Sequence, residues 1–224
     1  MRYLKGYENI ALAARYIPEL PSEEAVESFQ IEVFNLISDA YKIIKTPDKI
    51  SERPDETQIS ISLFTALKML CSNSSWVNCE HHEFTDDIIA GRKKPISAKR
   101  FDIYFGNWST PKRIEYGVEA KLLTENDFMG RKSKFLIDEY IGEAGMNKYI
   151  SGIYKSMGCM VGYVVEGKIN VIIDKINKQI ESIFDAKQIL YKGALSKFNH
   201  QEIYKSVHKE KLNYTMFHLM LDLN

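Results

Sequence analysis

Apolar residues at Val26, Phe29, Val33, Ile37, Ala40 and Ile44 recur at three- and four-residue steps. That period predicts one long amphipathic helix running to about Lys45, entered after the breaks at Pro18 and Pro21 and capped by Ser22. The polar stretch Thr46–Pro54 carries two prolines and reads as a linker. Asp55 then has the character of an N-cap with Gln58 three residues on, and Ile59, Leu63, Leu67 and Leu70 mark a second helix. Beyond it the period changes. Trp76–Phe84 suits a strand, and a basic, Pro-containing loop (Gly91–Lys99) leads to a short aromatic strand, Phe101–Phe105. Asn107 to Lys112 is turn-like, and Ile114–Leu123 is a third strand. A charged loop, Thr124–Lys134, precedes a helix expected to reach about Met157. Cys159–Val165 is almost continuously apolar, as a strand buried on both faces requires. Ile169, Ile172, Ile173, Ile176, Ile180, Ile183 and Phe184 define another amphipathic helix, and Tyr214–Leu221 a last strand.

From Asp55 onward the order is helix, three strands, helix, strand, helix, which predicts an α/β fold with helices on both faces of the sheet. The first three strands should be antiparallel neighbours, with the fourth returning through the helix. Residues 1–54 form a helical N-terminal extension to a main domain at 55–224, a division that suits a chain of 224 residues.

Charge alters this picture by what it withholds. Thirty basic residues balance thirty acidic ones, so any polyanion must be met by locally polarised charge. The three cysteines, Cys71, Cys79 and Cys159, stand far apart with no CxxC pair, as expected for reduced thiols in a cytoplasmic protein. Glu8 and Arg15 interrupt the apolar stretch that a signal peptide would need, and no apolar run approaches a membrane span.

The chemistry is concentrated in Lys99-Arg-Phe-Asp102-Ile-Tyr-Phe, a turn, and Ile114-Glu-Tyr-Gly-Val-Glu119-Ala-Lys121. Residues two apart on a strand share a face, so Glu119 and Lys121 stand ~6–7 Å apart along it. The turn can bring Asp102 onto the same face of the neighbouring strand. Two carboxylates there make a hard oxygen site suited to Mg²⁺ or Mn²⁺, and a lysine beside them can orient or help deprotonate a water. Acid-x-Lys is a trivial pattern by itself, and it occurs twice more. Glu166-Gly-Lys168 falls at a strand end and Asp185-Ala-Lys187 in a helix, and neither has an aspartate-bearing strand just upstream.

Asp102 followed by Glu119-Ala-Lys121 resembles the PD-(D/E)XK motif of restriction-endonuclease-like nucleases, whose core runs α-β-β-β-α-β. The resemblance covers Asp55 to Val165, about half the chain. It implies divalent-metal hydrolysis of phosphodiester bonds, in DNA more often than in RNA. It also implies Asp102, Glu119 and the carbonyl of Ala120 as metal ligands, with Lys121 catalytic. Phe101 stands where the motif has proline. Many such nucleases carry a further carboxylate on the helix before the first strand. Glu56 is that candidate here, or else simply an acid favoured by the dipole of the first helical turn.

Lys148, on the helix after the third strand, is either a phosphate contact or a solvated lysine. Lys93, Lys94, Lys99 and Arg100, with Arg131 and Lys132, lie in two basic segments flanking the site, where they could neutralise phosphates. Gly142 and Gly145 mark an irregular start of their helix or a close backbone approach. His81 and His82 point apart on a strand, which argues against a shared zinc ion. Ser206 and His208 offer at most a phosphate contact. The sequence therefore leads to a Mg²⁺- or Mn²⁺-dependent endonuclease, with a restriction or phage-defence role as its setting. The rivals are an RNase of the same fold and a non-catalytic binding or assembly subunit. A homodimer suits cutting of both strands of a duplex, which is easiest with two related sites, and the long Ser22–Lys45 helix could serve as its interface or as a dock for a partner protein subunit.

Overall fold

A computed structural model describes residues 22–45, 55–71, 75–83, 86–92, 94, 99–107, 113–154, 157–183, 189–193, 202–208 and 214–224. Pro18, Pro21, the 46–54 linker, the turn at 108–112, Phe84, Lys93, Phe184, Asp185 and Lys187 lie outside these residues, as does the side chain of Lys99.

Helix α1 (Glu23–Ile44) begins where the Ser22 hydroxyl accepts the Ala25 amide at 3.2 Å. Helix α2 (Glu56–Leu70) is capped by Asp55, whose carboxylate accepts the Thr57 amide at 2.9 Å. Strand β1 (Ser75–Glu83) and a single helical turn, α3 (Asp86–Ile89), precede β2 (Lys99–Asn107) and β3 (Ile114–Thr124). Then come α4 (Ser133–Ile141), the short α5 (Asn147–Ile150), β4 (Met157–Glu166) and α6 (Ile169–Ile183). The chain closes with β5 (Tyr191–Lys192), β6 (Ile203–His208) and β7 (Tyr214–Asp222). None of the described helices is long and apolar enough to cross a membrane.

The seven strands form one mixed sheet in the order β1-β2-β3-β4-β7-β6-β5. Strands β1, β2 and β3 are antiparallel neighbours, as their spacing predicts, and β4 returns parallel to β3. Strand β7 is parallel to β4 and antiparallel to β6. Lying between β3 and β7, β4 is apolar along both faces because both are covered.

Alternation along the strands feeds two cores. Ile103, Phe105, Val118, Ala120, Val161 and Leu219 pack with Phe29, Val33, Phe34, Ile37, Leu63 and Leu67 of α1 and α2. Tyr104, Leu123, Met160, Val164 and Met220 pack with Tyr140 of α4 and with Ile172, Ile176 and Ile180 of α6. Helices therefore cover both faces.

One expectation is corrected. The helix expected to reach Met157 stops at Ile141, because Gly142 departs from helical geometry and its neighbours form turns. The glycines thus mark its end: a β-carbon at Gly145 would collide with the carbonyl oxygens of Glu139 and Tyr140. The last strand, Tyr214–Asp222, stands where its pattern predicts and lies beside β4; beyond it in the sheet are β6 and β5, for which the sequence pattern provided no element.

Candidate active site

Strands β2 and β3 pair from Asn107/Ile114 to Ile103/Val118, and the register ends there. One residue further, the Asp102 carboxylate has taken the place of a strand partner and accepts the Ala120 amide through Oδ2 at 2.7 Å. The two strands part at this point, and the parting creates the site. Opposite, on β1, Glu80 adopts φ +50°, an unusual conformation for a residue with a side chain.

Period-two alternation places Glu119 and Lys121 on one face of β3, and both are deeply buried, at 1 % and 8 % exposure. The Lys121 ammonium is the hub of the cluster. Its Nζ lies 3.0 Å from Glu56 Oε1, 3.1 Å from Glu119 Oε1 and 4.0 Å from Asp102 Oδ2. It also donates to the Ala120 carbonyl at 2.8 Å. Glu56, in the first turn of α2, accepts the Leu122 amide at 3.0 Å through its other oxygen, which ties the helix start to the strand. Asp102, Glu119, Lys121, Ala120 and Glu56 are therefore brought together.

Glu119 is held from its far side as well. Lys148 donates to Oε1 at 2.6 Å, and the Tyr154 hydroxyl donates to Oε2 at 2.8 Å. Lys148 is thus an inward-facing residue of α5. No sequence signal singled out Tyr154, since the loop after α5 has no period and its partner lies 35 residues away. The Tyr154 ring stacks on Phe101 with centroids 3.8 Å apart. Phe101 in turn fits only because Gly117, facing it from β3, has no β-carbon.

Burial sets the electrostatics. It is the largest influence on Asp102, joined by the nearby Glu119, and together they push the Asp102 carboxyl up to about 7 against the opposing pull of Lys121. For Lys121 burial works against the charge, but Glu119, Asp102 and Glu56 outweigh it and hold the ammonium above its ordinary value. Burial also raises Glu139, which shares a cleft with Glu56.

That cleft, about 510 Å³, opens beside Glu56 and is lined by Arg131, Lys132, the exposed Phe135 and Glu139. Arg131 pairs with Asp55 at 3.3 Å and Lys132 with Asp127 at 2.6 Å. Arg100 is exposed and lies 3.5 Å from Glu80, and Lys94 is exposed in its loop. Of the basic residues, Arg131 and Lys132 line the cleft beside Glu56, and Arg100 stands two residues before Asp102 on β2.

Away from the site, His81 stacks on Tyr104 with centroids 4.0 Å apart, an aromatic role. Ser206, His208, His218 and Tyr140 form a buried polar chain. His208 Nε2 and His218 Nε2 lie 2.7 and 2.9 Å from the Ser206 hydroxyl, and His218 Nδ1 lies 2.8 Å from the Tyr140 hydroxyl. Ser206 and His208 are therefore enclosed and present no surface to a phosphate.

Among the described residues, no group of three or more His, Cys, Asp or Glu side chains is placed to hold a metal ion. The carboxylates of Glu56, Asp102 and Glu119 meet around an ammonium instead. Comparison of the chain with models of known protein families, with curated proteins and with solved structures gives no match in any of the three.

Proposed function

We propose that this chain is a Mg²⁺- or Mn²⁺-dependent nuclease of the PD-(D/E)XK, restriction-endonuclease-like kind, acting as an endonuclease on DNA. The observation that carries the reading is the convergence of Asp102, Glu119 and Lys121 where β2 and β3 separate. The order α2-β1-β2-β3-α4-β4 supports it, interrupted only by the short α3 and α5. Fold alone never fixes chemistry, so the weight rests on the side chains.

The donor set suits a hard divalent cation. Asp102, Glu119 and the Ala120 carbonyl offer oxygen only, and Mg²⁺ commonly completes such a set with waters. Asp102 and Glu119 bring two carboxylates around one ammonium, and a cation relieves such crowding. Lys121 supplies that compensation in the metal-free protein. When bound, the metal would polarise a phosphoryl oxygen and acidify a water.

The residues of the chain account for the remainder. Lys121, held as an ammonium, stabilises negative charge developing on the phosphoryl oxygens. Glu56 orients Lys121 and joins α2 to β3. Phosphates flanking the cut would be met by Arg131 and Lys132 in the cleft beside Glu56, and by Arg100 and Lys94 on the β2 side. Restriction or phage defence in the cytoplasm remains the setting that the family resemblance suggests.

A second reading, a non-catalytic binding or assembly subunit, is favoured by one observation: Lys121, Lys148 and Tyr154 already occupy both oxygens of Glu119. Titration of the metal-free protein with Mn²⁺ separates the two readings. The nuclease binds Mn²⁺ and loses that binding in Asp102→Asn, whereas a non-catalytic subunit binds none.

A further inference from the structure

We propose that Tyr154 is a positioning residue for Glu119, fixing the carboxylate so that Oε1 faces Lys121 and Lys148. The inference rests on the nuclease reading and extends it to a residue outside the motif. The two oxygens of Glu119 have different partners. Oε2 accepts only the Tyr154 hydroxyl among the described residues, at 2.8 Å, whereas Oε1 lies 3.1 Å from Lys121 and 2.6 Å from Lys148. A carboxylate on a two-bond stem can rotate, and both lysines crowd one of its edges. A donor on the opposite edge is what restricts that rotation.

Tyr154 is itself immobilised. It is 3 % exposed, stacks on Phe101 and meets Tyr149 edge-on with centroids 5.0 Å apart. Its hydroxyl also contacts the Arg100 carbonyl, two residues before Asp102. One side chain therefore touches both strands that bear the acidic residues, and it does so at the point where they no longer pair. Lys148 and Tyr154 lie either side of the turn that ends α5, so this segment grips Glu119 by both oxygens.

Removing one hydrogen bond to a charged, buried acceptor weakens the state it supports by about tenfold or more. Tyr154→Phe deletes the hydroxyl and leaves the ring on Phe101. We expect it to raise the Kd for Mn²⁺ about tenfold and lower kcat about tenfold, with KM for nucleic acid within about twofold. Tyr149→Phe is the control, since its hydroxyl serves the Gly117 and Cys159 carbonyls and not Glu119. It should leave the Mn²⁺ affinity unchanged even if it costs stability. In metal-free buffer, a double-mutant cycle of Tyr154→Phe with Glu119→Ala should show coupling of about tenfold in the unfolding constant. Absent coupling overturns the proposal, as does wild-type Mn²⁺ affinity and kcat in Tyr154→Phe, or equal losses in both tyrosine variants. A wild-type protein that neither binds Mn²⁺ nor cuts nucleic acid would instead overturn the nuclease reading, while the metal-free cycle would still decide the Tyr154–Glu119 contact.

Discussion

Replacing Lys121 with methionine removes one charge and keeps most of the stem, so it isolates the electrostatic role of the ammonium from its packing. In the folded protein that ammonium lies within 4.0 Å of oxygens from Glu56, Asp102 and Glu119, and it is almost completely buried. Deleting it takes this compensating cation from Glu56 and Asp102 in a low-dielectric setting and leaves Glu119 with Lys148. Breaking a buried ion pair from one side costs about 3–5 kcal/mol. For a chain of this size that lowers the melting temperature by about 6–20 °C. The cost is greatest above pH 7. Below it, Asp102, already elevated to about 7 with Lys121 present, takes up a proton and the repulsion falls. The assay is thermal unfolding in EDTA at pH 8 and at pH 5.5, repeated with saturating Mn²⁺. We expect a large deficit at pH 8, a smaller one at pH 5.5, and partial rescue by Mn²⁺ at pH 8. A melting temperature within 2 °C of wild type at pH 8 in EDTA would show that the ammonium does not compensate these carboxylates, and the electrostatic reasoning would fail.

Further tests probe the surroundings of the site. Gly117→Ala places a methyl against the Phe101 ring, and we expect a loss of about 1–3 kcal/mol in urea unfolding; an unchanged midpoint would mean that Phe101 is not held against β3. Asp55→Ala removes the α2 cap and one partner of Arg131, with an expected loss of about 1 kcal/mol in the same assay; no loss would mean that this cap does not stabilise α2. Burial lowers His218 to about 3, so the folded protein keeps it neutral while the unfolded chain protonates near 6.5. Its contribution is complete above pH 6.5 and is lost as pH falls toward 3, by about 2 kcal/mol at pH 5. His218→Gln should remove that part of the pH dependence, and an identical slope in the variant would refute the assignment.

How much the sequence disclosed depends on how local each signal was. Asp102, Glu119 and Lys121 were legible because each sits among apolar strand residues, and because a period of two decides which side chains share a face. Glu56 was a candidate only through the family resemblance, which implies a carboxylate on the helix before the first strand, and the residue pattern alone offered an ordinary acid of the first helical turn. Lys148 was visible as a residue near the site, but its inward contact with Glu119 was not: Gly142 and Gly145 signal an irregularity, and the direction in which the chain turns after it depends on tertiary packing. Strand β6 escaped notice because its residues owe their strand conformation to pairing with β7, a contact that no local period announces. Tyr154 escaped for the same reason: its significance lies in a carboxylate two elements away. The sequence also could not show that the acids meet around a lysine rather than forming an open group, since that depends on side-chain reach across separated strands.

The central claim is metal-dependent hydrolysis at Asp102, Glu119 and Lys121, and cleavage tests it most directly. Supercoiled plasmid and single-stranded RNA are incubated with wild type and with Asp102→Asn, in Mg²⁺, in Mn²⁺ and in EDTA. We expect cutting of the plasmid with metal, none in EDTA, and a loss of about a hundredfold or more in Asp102→Asn. Absence of cutting by folded wild-type protein in either metal, or equal cutting by Asp102→Asn, would contradict the claim.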